Sequence, residues 1–201
     1  MKRRIFNLVL MFMLFVTSAS AQSMTYTLIR PNCTSISAGV GYLFNGEVGD
    51  YNFKQNYVTY DFSLGQYFNN YVGMTIGVSV AESTTEGANT RLCNVGLDIN
   101  TRLTNYYAYS PCDVVLNLGA SYGHFKYTDY GTHSEGMDYF VPKVSLDIIF
   151  NLTSDKAYQF VIEPSYQYYV HTKDKYYYDD GSKVNADISA VGIKTKFRVN
   201  F

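Results

Sequence analysis

Apolar residues return on every second position in eight separate runs, and the positions between them are small or polar. The runs are Ile36, Ala38, Val40, Tyr42 and Phe44; Val58, Tyr60, Phe62 and Leu64; and Val72, Met74, Ile76, Val78 and Val80. The fourth switches parity, with Cys93, Val95, Leu97 and Ile99. Then come Val114, Leu116, Leu118, Ala120 and Tyr122; Phe140, Val144, Leu146, Ile148 and Phe150; and Tyr158, Phe160, Ile162, Tyr166 and Tyr168. Val191, Ile193, Thr195, Phe197, Val199 and Phe201 form the last. A period of two places successive side chains on opposite faces of a strand. Most runs have the roughly 9–11 residues that a tilted strand needs to cross a bilayer. No long helix-period segment competes with them, and no second domain is evident. The fold class expected is all-β, a closed antiparallel up-and-down eight-stranded transmembrane β-barrel.

Alternation alone does not say which face is outside, because a soluble ligand-binding barrel turns its apolar face inward. The opposite parity decides. It carries Gly39, Gly41, Gly73, Gly77, Gly96, Gly119, Gly123 and Gly192, with Ser37, Ser63, Ser79, Ser121 and Ser145. A water-facing strand surface favours larger polar residues, since glycine in a strand loses both entropy and packing. The interior of eight strands is narrow, and small residues fit it. The apolar set is large and aromatic, and many of its rings (Tyr42, Phe44, Tyr71, Phe140, Phe150, Tyr158, Tyr166, Tyr168, Phe201) fall near strand ends, at headgroup level.

Composition agrees. Charged residues make up 16% of the 201, against about 25% in ordinary soluble domains. Tyrosine and phenylalanine number 21 and 13, while tryptophan is absent. A formal charge of −1 supplies no basic footprint, so nucleic acid is not an expected partner.

Residues 1–21 read as a secretory signal peptide. Lys2, Arg3 and Arg4 form its basic region, Ile5 to Val16 its apolar region, and Ala19-Ser20-Ala21 its cleavage pattern. The apolar run falls short of the ~20 residues a membrane anchor needs. Removing those three basic residues leaves 13 of the 16 against 17 acidic ones, a mature charge of about −4. Residues 22–33 would be an N-terminal periplasmic segment and 34–201 the barrel. Connections alternate in length: 45–56, 82–90, 126–138 and 171–186 are long and polar, while 66–70 and 151–157 are short. Long loops on one rim and short turns on the other suit an outer-membrane barrel. The connection 102–113 is long where a short turn belongs.

With a signal peptide, eight amphipathic strands and a final strand Ile193-Lys194-Thr195-Lys196-Phe197-Arg198-Val199-Asn200-Phe201, the chain resembles the small outer-membrane β-barrels of the OmpA/OmpX kind. The resemblance spans the whole mature chain and is architectural, with no diagnostic internal motif. It implies outer-membrane lipids as surroundings, the barrel-assembly machinery as a partner in biogenesis, and Phe201 as the assembly signal. No further periplasmic domain after Phe201 is expected, which sets aside a wall anchor of the full-length OmpA type.

Asp61, Asp98, Lys143, Asp147, Glu163, Lys194, Lys196 and Arg198 fall on the inward parity, four acids and four bases. Isolated charges in a narrow lumen are costly, so these should pair. A polar plug is the expected arrangement, with a charge-lined gate as the alternative, and Glu163 is the acid nearest the strand-eight cations. Pro142 and Pro164 lie inside strands six and seven, where each removes a donor and predicts a local irregularity.

Chemistry candidates are few. His124, His133 and His171 have no metal-ligand spacing, and no catalytic residue, cofactor or metal is expected. The family resemblance brings in lipid A-modifying barrels, which pair a histidine with a serine. Here His133-Ser134-Glu135 are adjacent, so His133 and Ser134 would point to opposite faces. Cys33 and Cys112 belong to one rim, where an oxidising periplasm permits a bridge and the length of 102–113 would accommodate it. Cys93 reads as a small apolar residue facing lipid. The tyrosine-rich stretch from Lys173 to Ser182 offers contact area at low entropy cost. The expected function is a monomeric, non-enzymatic barrel with a structural or surface-interaction role, meeting a host or extracellular ligand through the long loops. A narrow channel for small or apolar solutes and a lipid A-modifying enzyme are the alternatives.

Overall fold

The computed structural model describes residues 33–46, 56–85, 88–104, 110–129, 133–172 and 187–201. They form β1 (Thr34–Gly46), β2 (Asn56–Tyr67), β3 (Val72–Thr85), β4 (Ala88–Arg102), β5 (Cys112–Asp129), β6 (His133–Asn151), β7 (Tyr158–His171) and β8 (Ile188–Asn200). Each strand pairs antiparallel with its chain neighbours, and β1 closes on β8 from Ser35↔Asn200 to Gly46↔Ser189. Closure removes the free edges that an open sheet would leave in lipid. The signal peptide and the 22–33 segment, apart from Cys33, lie outside the described residues.

The apolar parity faces out. Leu118, Ile99 and Val40 are each more than half exposed, while Asp147 and Glu163 are about as buried as residues can be. Glycines 73 and 123 are buried on the inner face. This orientation is the reverse of a soluble barrel built around an apolar cavity. Outward rings pair at the strand ends, with centroids 6.4 Å apart for Tyr42–Phe44, 6.4 Å for Phe150–Phe160 and 6.2 Å for Tyr158–Phe197. Replacing Leu118 with arginine puts a charge in the apolar belt. At mid-depth that costs about 2–4 kcal/mol. Urea titration of folding into lipid vesicles should show the loss for Leu118→Arg and none for Lys126→Gln, which lies beyond the belt.

Two strand pairs run past the expected limits. The stretches 82–90 and 126–138, expected as loops, are mostly strand: β3 reaches Thr85, β4 starts at Ala88, β5 reaches Asp129 and β6 starts at His133. The outward positions Lys126, Gly136 and Asp138 are no longer apolar, so the apolar alternation stops while the ladder continues. Most of 45–56 and 171–186 lies outside the described residues.

Both prolines interrupt one seam. The β6–β7 register is constant, yet partners are missing between Phe140↔Val170 and Lys143↔Gln167, and again between Ser145↔Ser165 and Ile148↔Ile162. Pro142 keeps Ala120 on β5, and Pro164 keeps Ile193 on β8. Each proline therefore turns its missing N–H toward the other's strand. No residue is inserted, so the irregularity is a gap in the ladder and not a bulge.

Candidate functional site

All eight charges expected in the lumen meet there. Lys194, Lys196 and Arg198 alternate along the inner face of β8. Opposite the first two on β1 stand Gly41 and Gly39, and the missing side chains let both lysines cross over β1 to β2. Lys194 Nζ lies 3.0 Å from Asp61 Oδ2 and Lys196 Nζ 3.1 Å from Asp61 Oδ1. A Cβ at Gly39 would come within 2.6 Å of Lys196 Cγ. On its other side Lys196 meets Glu163 of β7 at 2.5 Å. Lys143 of β6 links Glu163, at 3.6 Å, to Asp98 of β4, at 2.6 Å. The Asp98–Lys143 contact spans β5 through Gly119, which is paired with both. Arg198 Nη2 binds Asp147 Oδ2 at 2.6 Å. Asp61, reached over the glycines, holds Lys194 directly, which the expectation of Glu163 as the nearest acid did not include.

Neutral residues complete the layer. Thr75 Oγ1 donates to Asn100 Oδ1 at 2.8 Å, Asn100 Nδ2 to Asn117 Oδ1 at 2.7 Å, and Asn117 Nδ2 to Asp147 Oδ1 at 2.8 Å. That chain crosses β3, β4, β5 and β6 and satisfies the carboxylate that Arg198 pairs. Buried polar groups joined in this way keep their hydrogen bonds without water.

Two further layers close the ends. Toward the hairpins, Leu43, Tyr57, Leu92, Phe125, Tyr139 and Tyr169 belong to a buried apolar cluster on the inner face. Tyr139 and Tyr169 meet edge to face at 5.9 Å, and Tyr169 Oη donates to Gln167 Oε1 at 2.8 Å. The middle of the lumen is thus its charged layer, and charges return at the end bearing the termini, beside the buried Val115, Ile149 and Val161. At that end Asp113 Oδ2 takes Arg102 Nη1 at 2.8 Å, Lys156 Nζ at 3.0 Å and Asn151 Nδ2 at 2.9 Å. Asp113 is recognisable in the sequence as the next inward position before Val115. Lys156 sits in a turn, where parity says nothing.

The remaining candidates stay apart. His124 faces outward, half exposed, with Nδ1 2.8 Å from Asp138 Oδ1. Its neighbours two positions along the same face are Tyr122 and Lys126, so no serine joins this pair there. His133 and Ser134 open β6 opposite Asp129 and Thr128, so they lie in a strand and not in a loop. His171 ends β7 and packs against Tyr139, with ring centroids 5.5 Å apart. No group of three metal-ligating residues occurs among the described residues.

The Cys33–Cys112 bridge is not formed, and none of Cys33, Cys93 and Cys112 is part of a disulfide. Cys33 precedes β1 while Cys112 opens β5, four strands away around a ring of eight. Cys112 also takes the outward parity, so the two thiols cannot meet without rebuilding the rim. Phe201 ends the belt, exposed, with its N–H donating to Thr34 O at 2.8 Å.

No family model matches the chain, and no curated protein matches it either. Solved structures do. A major outer membrane protein from Thermus thermophilus aligns over 86% of this chain and 100% of its own, at 15% identity and TM-score 0.59. Neisserial surface protein A aligns over 85% and 96%, at 12% identity and TM-score 0.57. Ail, the attachment invasion locus protein of Yersinia pestis, aligns over 86% and 100%, at 20% identity and TM-score 0.55. At these identities the likeness is one of fold, that of the small eight-stranded outer-membrane barrels.

Proposed function

We propose that this chain is exported to a bacterial outer membrane, where it is a sealed, non-enzymatic barrel acting at the cell surface through the hairpins that stand beyond its belt. The observation that carries this reading is the length of β5 and β6. They pair out to Asp129↔His133, seven positions past the outward aromatic pair Tyr122↔Phe140. Thr172 adds two hydrogen bonds to Asp138 O, at 3.0 and 2.9 Å. A hairpin that stands beyond the membrane presents its surface to other molecules outside the cell. The filled lumen supports the same reading, since eight strands leave room for side chains and little else. Phe201 would serve assembly in this picture, as the terminal aromatic of an outward-facing strand.

The test removes the tip. Deleting residues 127–135 and joining the strands with a two-residue turn should leave a heat-modifiable barrel in the outer-membrane fraction. Adhesion of cells expressing it to immobilised extracellular-matrix protein should fall to the level of cells lacking the protein. Ion conductance by the wild-type barrel in planar bilayers, or full adhesion without the tip, would overturn the proposal.

A further inference from the structure

The turn between β6 and β7 holds Lys156 at φ 59°, the left-handed region that residues with a side chain seldom enter. Three contacts fix it. Lys156 N–H donates to Thr153 O at 3.0 Å, Ala157 N–H to Asp155 Oδ1 at 3.0 Å, and Asn200 Nδ2 to Lys156 O at 2.5 Å. The lysine is thereby tucked beneath the barrel, only 6% exposed, with its ammonium on Asp113. Between this turn and the ends of β2, β4 and β8 lies a cavity of about 40 Å³, whose walls include Tyr67, Arg102, Lys156, Arg198 and Asp155.

We propose that this cavity binds a free carboxylate. Arg198 is 7% exposed and uses Nη2 on Asp147. A guanidinium has five N–H groups in one plane, and its others have no partner among the described residues. The Tyr67 hydroxyl makes no hydrogen bond among them either, although its ring is fixed. Arg102 lies over it at 5.5 Å, and a Cβ at Gly73 would stand 2.9 Å from its Cδ1. A planar donor fork beside a phenol matches a carboxylate in shape and hydrogen-bonding capacity. The charge of the surroundings discriminates among anions. Arg102, Lys156 and Arg198 are balanced by Asp113, Asp147 and Asp155, and a single negative charge disturbs that balance less than a phosphate dianion. The volume admits the carboxylate and leaves the rest of its molecule at the mouth. The site lies at the opposite end from the hairpins, and its occupancy does not depend on the surface role.

Sodium acetate titrated into the folded barrel in detergent, with chloride holding ionic strength constant, tests the site through the Arg198 Nε–Hε resonance. Saturation is expected with a dissociation constant on the order of millimolar. Tyr67→Phe should weaken it about threefold, and Lys156→Met by at least as much, with the heat-induced gel shift retained as the check on folding. Acetyl-alanyl-alanine, titrated in parallel, separates sources. Saturation by the peptide supports a peptide terminus, and saturation by acetate alone supports a small acid. A linear drift without saturation, equal affinity in both variants, or tighter saturation by inorganic phosphate would overturn the assignment.

Discussion

Glu163→Gln should lower the temperature at which the compact gel form of the barrel unfolds, with no ion conductance gained in planar bilayers. Glu163 is 1% exposed and stands between Lys196 and Lys143. Neutralising it leaves two buried ammonium groups sharing Asp61 and Asp98 with Lys194. Removing one partner of a buried ion pair typically costs about 3–5 kcal/mol, most of it the penalty of the charge left behind. The side-chain volume is unchanged, so the lumen stays full. Pairing the change with Lys196→Met should recover much of the loss, because a packed apolar substitute for a buried pair is often neutral. Conductance from Glu163→Gln at unchanged heat stability would mean that the charges form a gate, and the sealed-barrel reading would fail with it.

The second large effect belongs to a residue with no charge. In Gly119→Val, a Cβ would overlap Asp98 Oδ1 and stand 2.6 Å from the backbone oxygen of Leu97. The carboxylate must leave Lys143, and β4 and β5 must separate locally. Overpacking alone costs about 1–3 kcal/mol, and the broken ion pair adds to it, so folding yield as well as heat stability should fall. Gly77→Ala is the comparison, since its Cβ meets nothing nearer than Ser63 Cβ at 3.3 Å. It should be close to neutral in the same gel assay. Equal effects at the two glycines would show that Gly119 is not a crossing point for the Asp98–Lys143 pair.

What can be read along the chain is whatever strand periodicity encodes. The eight runs, their faces, the aromatic ends and the eight inward charges all follow from counting positions in twos. Asp113, Asn100 and Asn117 lie on the same inward parities, but no property of an isolated asparagine marks it as the bridge between a threonine and a buried aspartate. Arg102 escapes such a reading because it lies past the last apolar position of β4. Strand limits drawn from apolar alternation stop at the belt, which is also why the extended β5–β6 hairpin reads as a loop in the sequence. The Cys33–Cys112 bridge that the sequence permits is absent for another reason: residues on one rim can still be half a circumference apart.

Which face each side chain takes is legible from the order of residues, because alternation between lipid and a narrow interior is a local property repeated at every strand. The partners emerge from the assembled barrel. Lys194 reaches Asp61 across a strand that is glycine at that level, Asp98 reaches Lys143 in the same way, and Lys156 comes from a turn to lie under the barrel. Those contacts depend on register and closure, which sum over all eight strands, and on a few missing Cβ atoms whose consequence appears only when the neighbouring strands are in place.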